Sequence, residues 1–168
     1  MTTHPNSSSH RLLVVEDEKE LRELIVLCFQ GENIEIDTAA NGLAALSKLE
    51  HNSYDAILSD LRMPEKSGFD LLTEIKQKNI HTPVVIISAF ADKPTLLSAL
   101  RLGALDFIEK PFDRAELITV VFRAIEIGVR RKAVHDALAS APEAIVTKIA
   151  NDEKMANLVQ ISNSKRRN

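Results

Sequence analysis

The stretch "ILSDLRMPEKSG", residues 57–68, decides the fold. Its apolar start reads as a buried strand, and the run stops at a carboxylate, Asp60. The chain then turns through Leu61, Arg62, Met63 and Pro64 toward Gly68, where a helical pattern begins. A buried core does not stabilise an unpaired carboxylate. The strand must therefore deliver Asp60 to a rim rather than hold it inside.

Working outward, four further short apolar runs surround this one. They are "LLVV" (12–15), "IEIDTA" (34–39), "VVIIS" (84–88) and "DFIE" (106–109), with "AILS" (56–59) as the third in order. Helical spacing fills the gaps: Leu21, Leu24, Ile25 and Phe29; Leu43, Leu46 and Leu49; Phe69, Leu71, Leu72 and Ile75; Leu96, Leu97 and Leu100; then Leu117, Ile118, Val121, Phe122 and Ile125. Runs one, three and four are apolar almost throughout, as parallel strands covered on both faces are. The second alternates apolar and acidic residues and reads as an edge strand. Strands alternating with helices predict an α/β fold, a doubly wound five-stranded parallel sheet with right-handed crossovers.

In such sheets functional groups gather at the carboxyl ends of the strands. The ends here read Glu16-Asp17, Asp60, Ser88 and Lys110. Three carboxylates meeting in a solvent-facing crevice repel one another unless a cation is present. A hard divalent ion such as Mg²⁺ suits oxygen donors and retains waters. Asp17 and Asp60 are candidate direct ligands, Glu16 a ligand through a water, and the Arg62 backbone carbonyl a further oxygen. A metal alone does not occupy Lys110 or Ser88. A phosphoryl group on Asp60 would, because an aspartate can act as nucleophile toward phosphorus and Lys110 is a mobile point charge suited to a phosphate oxygen.

With these residues in place, the segment 11–130 resembles a receiver domain of bacterial two-component response regulators, which share a chemotaxis-regulator-like fold. The resemblance rests on "VVEDE", "SDLRMPEKSG", "IISAF" and "DFIEKPF", each at a strand end and in this order. The separations match as well: 43 residues from Asp17 to Asp60, 28 from there to Ser88 and 22 from there to Lys110. It implies a flavodoxin-like strand order of 2-1-3-4-5. It implies Asp60 as acceptor of a phosphoryl group from a sensor histidine kinase or phosphotransfer protein. It implies Glu16 and Asp17 as a Mg²⁺ pocket, Lys110 and Ser88 as phosphate-binding groups, a cis peptide at Pro111, and Phe107 turning inward as part of a switch read on the surface of residues 92–127. Self-catalysed phosphoryl transfer with slow autodephosphorylation, and no turnover of a separate substrate, is the activity implied. Two positions depart from the commonest pattern: Glu16 stands where Asp is frequent and Phe107 where Tyr is frequent.

Composition agrees with this class and argues against others. The chain has 168 residues, 45% apolar and 27% charged, with a net charge of -3. Residues 1–130 carry 14 Lys and Arg against 20 Asp and Glu, whereas 131–168 carry 7 against 4. A nucleic-acid partner through the basic clusters at 130–131 and 165–167 is a competing reading, but these clusters lack aromatic interleaving. A phosphatase with an aspartate nucleophile is another; such enzymes place an acid two residues later, where Arg62 stands here. No apolar run reaches the roughly 18–20 residues of a membrane span, so no membrane partner is expected. The single cysteine, Cys28, and the polar start fit a reducing cytoplasm.

Residues 1–10 read as a disordered tail and 131–168 as a helical C-terminal extension. The helix begun at 113 is expected to run on through "RRKAVHDALA", with Ser140, Pro142 and Glu143 opening a second helix to about residue 161. The extension is too short for a usual DNA-binding output domain. It is expected to serve self-association, as a homodimer through residues 92–160, or docking of an unidentified downstream protein; a solvated remnant of a longer chain is the alternative.

Overall fold

In the computed structural model, which describes residues 9–89 and 92–141, the apolar runs form five parallel strands. These are β1 (His10–Val15), β2 (Ile34–Ala39), β3 (Ala56–Asp60), β4 (Val84–Ser88) and β5 (Asp106–Glu109). Between and after them lie α1 (Lys19–Cys28), α2 (Gly42–His51), α3 (Gly68–Gln77), α4 (Lys93–Leu102) and α5 (Arg114–Ala139). The strand order is β2-β1-β3-β4-β5, all neighbours parallel. The winding direction reverses between β1 and β3, and β2 is at an edge, as its alternating pattern predicts.

The continuous apolar runs exist because both sheet faces are covered. Alternate residues go to opposite sides. Leu13, Val15, Ile57, Val84 and Ile86 pack with Ala45, Leu46, Leu71, Leu72, Ile75 and Ala99 of α2, α3 and α4. Leu12, Val14, Ala56, Leu58, Val85 and Ile87 pack with Ile25 of α1 and Leu117, Val121, Ala124 and Ile125 of α5. Each fully buried Leu or Ile side chain stabilises the fold by about 1.5–3 kcal/mol.

Several expected core positions face out instead. Leu24, Leu43, Leu97 and Leu100 are exposed. On α4 the buried residue is the small Ala99. Leu97, two residues away, lies about 200° round the helix from it. A stripe of leucines closer together than one helical turn cannot all reach the sheet.

Helix starts follow local chemistry. Asn41 accepts from the Ala44 N–H, Asp92 from the Thr95 N–H, and Ser67 with Asp70 forms a reciprocal capping box on α3. The chain divides into two units, one ending at Lys132 and one beginning at Ala133. In the second, the Ser140 N–H and hydroxyl both donate to the Asp136 carbonyl, at 3.1 and 2.8 Å. The expected second helix lies outside the described residues, as do residues 1–8 of the expected N-terminal tail; its last two, Ser9 and His10, are placed, and His10 opens β1. Among the described residues no helix is long and apolar enough to cross a membrane.

At the amino end of the sheet a polar knot ties β1, β2 and the loop before β3. The Tyr54 hydroxyl donates to Asp37 Oδ2 at 2.7 Å, and Arg11 Nη2 donates to the same oxygen at 3.0 Å. The Arg11 guanidinium also stacks 5.0 Å from the Tyr54 ring centroid. Burial and the Asp37 carboxylate push the Tyr54 phenol up to about 12. The Tyr54 hydrogen bond, ahead of Lys48 and Arg11, holds Asp37 below its ordinary value. Asp37 thus adds stability above its unfolded-state pKa and loses it as pH falls through the lowered folded-state value. Tyr54→Phe is expected to cost about 1 kcal/mol at neutral pH and to lose part of that penalty in acid. Urea denaturation of both proteins across the acid range checks it.

Candidate acidic site at the strand ends

The site begins where β1 ends. The Glu16 N–H still donates to the Ala39 carbonyl at 3.1 Å, so its backbone continues the ladder with β2. Its side chain turns inward and is only 1% exposed. Asp60 is the last residue of β3, paired with Ile87 of β4, and is 8% exposed. The solvent-facing crevice expected for all three acids is therefore corrected: Glu16 and Asp60 are buried, and Asp17 alone of the three is exposed.

Lys110 follows β5, and its N–H donates to the Ser88 carbonyl at 2.9 Å. Its peptide bond to Pro111 is cis. Its Nζ donates to Glu16 Oε2 at 2.8 Å and to Asp60 Oδ2 at 3.1 Å. The other Asp60 oxygen accepts from the Leu61 N–H at 2.6 Å and the Arg62 N–H at 3.4 Å. Burial pushes the Glu16 carboxyl up, with Lys110 opposing and the Asp60 charge reinforcing the rise. Burial works against the Lys110 ammonium, but Glu16 and Asp60 together outweigh it and leave its pKa raised.

One oxygen from each of Glu16, Asp17 and Asp60 lies within 4.8 Å of the others. Three carboxylates against one ammonium leave an excess of two negative charges when all are ionised. At about 4 Å in a partly buried site each like pair costs about 4 kcal/mol. A divalent cation matches that excess, and hard oxygen donors are what Mg²⁺ prefers. The donor set fits the ion.

The other expected residues are placed as follows. Ser88 is buried at the end of β4, one residue beyond the partner of Asp60. Phe107 pairs with Ile86 and packs half-buried against the α2–α4 side of the core. Arg62 is exposed two residues past Asp60.

The loop after β3 is braced by features that the sequence reading missed. The Gly68 N–H donates to the Leu61 carbonyl at 3.0 Å. A Cβ at Gly68 would collide with the Asp60 carbonyl oxygen and sit 2.9 Å from Leu61 Cα, so the start of α3 lies flush against the acid. Glu65 takes a left-handed φ of 63° and accepts from Asn41 Nδ2 at 2.8 Å. The glycine after "EKS" was visible in the sequence; what it touches was not. Arg22, on α1, was also missed. Its Nη1 donates to the carbonyls of Glu16 at 2.6 Å and Asp17 at 3.3 Å.

Comparison with known proteins agrees with this geometry. The family model described as the response regulator receiver domain matches residues 12–122. Regulatory protein AtoC of Escherichia coli (strain K12) is 36% identical over 135 residues, 79% of this chain and 29% of that protein. DNA-binding transcriptional regulator NtrC of the same strain is 38% identical over 112 residues, 67% of this chain and 24% of its own. The chain thus spans less than a third of either relative. The crystal structure of the signal receiver domain of a LuxO repressor protein from Vibrio parahaemolyticus superposes with a TM-score of 0.71 at 30% identity, over 74% of this chain and 96% of that one.

Proposed function

Because the chain belongs to the response regulator receiver domain family of two-component signalling, we propose that Asp60 is its phosphoacceptor and that Glu16, Asp17 and Asp60 hold Mg²⁺. The observation that carries this reading is the meeting of the Glu16 and Asp60 carboxylates on one Lys110 ammonium, at 2.8 and 3.1 Å. Receiver domains are typically not turnover enzymes; the chemistry proposed is self-phosphorylation and slow hydrolysis.

A carboxylate oxygen of Asp60 forms the bond to phosphorus. The bond from phosphorus to the donor, the imidazole of a sensor histidine kinase or phosphotransfer protein, breaks, and the electron pair leaves with the imidazole. Lys110 exchanges its hydrogen bond to Asp60 for one to a phosphoryl oxygen. The N–H groups of Leu61 and Arg62 hold the carboxylate in orientation. Mg²⁺, when bound, neutralises the charge that the acids and the phosphoryl group accumulate. Glu16 would help hold the ion through a water, and the Arg62 carbonyl would offer a further oxygen. Ser88 then turns to the phosphoryl group, Phe107 repacks behind it, and the surface of residues 92–127 reports the change to a downstream protein or a second copy through 92–160. Residues 11–130 form the receiver domain and 131–168 the extension in this reading.

Incubation with acetyl phosphate and Mg²⁺ followed by intact mass measurement tests it. Wild type should gain the mass of one phosphoryl group and Asp60→Asn none. A wild type that stays unmodified under conditions that phosphorylate a control receiver would overturn the assignment.

A further inference from the structure

We propose that Arg22 is a positioning residue for the acidic site, an inference that rests on reading that site as a Mg²⁺ pocket. Acting from the first turn of α1, it holds the Glu16–Asp17 backbone in the one arrangement that brings both carboxylates to Asp60.

The three acids are not anchored equally. Asp60 is held by two backbone N–H groups and Lys110. Glu16 is held by Lys110 and by the Glu18 N–H at 3.3 Å. The Asp17 carboxylate makes no hydrogen bond or ion pair among the described residues. Its place within 4.8 Å of the other two is therefore set by its backbone. That backbone has just left the sheet, and the N-cap of α1, Glu18, makes no side-chain cap that would steady it. Arg22 supplies the missing restraint, because its Nη1 takes both the Glu16 and the Asp17 carbonyls. Its own N–H donates to the Glu18 carbonyl at 2.9 Å, so the guanidinium works from a fixed helical turn. Groups that orient metal ligands without touching the metal typically carry 10–100-fold in affinity.

Charge alone predicts the opposite sign. Arg22 is a cation beside an acidic pocket, and removing it raises the local negative potential and tightens Mg²⁺ binding. Positioning predicts weaker binding. The direction of the change separates the two.

The experiment measures Mg²⁺ affinity of the full chain by titration calorimetry, together with the thermal midpoint without Mg²⁺. Arg22→Met keeps most of the stem and removes the donors. Lys19→Met removes a cation from the same helix, one that pairs with Glu23 and leaves the loop untouched. Arg22→Met should bind Mg²⁺ about tenfold more weakly than wild type, while Lys19→Met binds equally or slightly more tightly. Arg22→Lys, whose shorter stem keeps one carbonyl and releases the other, should fall between. Binding by Arg22→Met as tight as by Lys19→Met overturns the proposal. Should Arg22→Met not fold, unchanged affinity in Arg22→Lys overturns it. A wild type that binds no Mg²⁺ rejects the metal-site reading itself, before Arg22 enters.

Discussion

Lys110→Ala is expected to lose about 3 kcal/mol of folding stability at neutral pH in the absence of Mg²⁺. The lysine is the cation on which two buried carboxylates converge. Removing one partner of a buried ion pair leaves uncompensated charge, which costs far more than the intact pair contributes. The pH dependence has a definite sign. Glu16 already has a raised pKa in the folded protein, chiefly from burial. A carboxyl whose folded-state pKa lies above its unfolded value favours folding most at low pH, and its contribution falls as pH rises through the folded value. Without Lys110 that rise is larger. The penalty of Lys110→Ala should therefore be smaller at acid pH than at neutral pH, as Glu16 takes up a proton. Glu16→Gln in the Lys110→Ala background should recover part of the loss at neutral pH. Urea denaturation of the four proteins at both pH values closes the cycle. Equal penalties at the two values would show that Lys110 does not act through Glu16. The same variant should accept phosphate from acetyl phosphate roughly 100-fold more slowly, the scale for losing one group that meets developing charge.

Gly128→Ala is expected to destabilise the fold by about 3 kcal/mol, although alanine favours an isolated helix over glycine by about 1 kcal/mol. Gly128 is buried on the face of α5 that crosses the amino ends of β3 and β4. A Cβ there would overlap the Asp55 carbonyl oxygen and lie 2.8 Å from its carbon and 3.1 Å from Pro83 Cδ. Asp55 cannot yield cheaply. Its N–H donates to the Arg11 carbonyl at 2.8 Å, and its Oδ2 accepts from the Arg11 N–H at 2.9 Å. The helix would have to lift from the sheet, exposing residues around Ile125. The thermal midpoint should fall by roughly 6–12 °C. A Gly128→Ala protein as stable as wild type would mean that α5 does not lie against Asp55.

The two substitutions differ in how far the sequence foretells them. Lys110 stands out because it precedes a proline at a strand end, in company with three acids that need a cation. Gly128 does not stand out at all. In "AIEIGVRR" it reads as a weak spot in a helix, and nothing within the helix says that a carbonyl from residue 55 presses on it. Arg22 is similar: one more charged residue on an amphipathic helix until its two carbonyl acceptors are seen. The exposed Leu97 and Leu100 show the converse error, since apolar identity does not reveal which side of a helix finds the sheet.

The sequence by itself determined the alternation of strand and helix, the two-sided burial of β1, β3 and β4, and the polar residues at which strands end. These are local, because side-chain direction repeats every two or 3.6 residues. Only the tertiary structure decided that Glu16 and Asp60 are buried, and that Lys110 bridges partners 94 and 50 residues earlier. Only it decided that Arg22 and Gly128 meet backbone carbonyls. Such contacts depend on strand order and helix placement, which follow from packing the whole chain at once, and no short window of residues carries them.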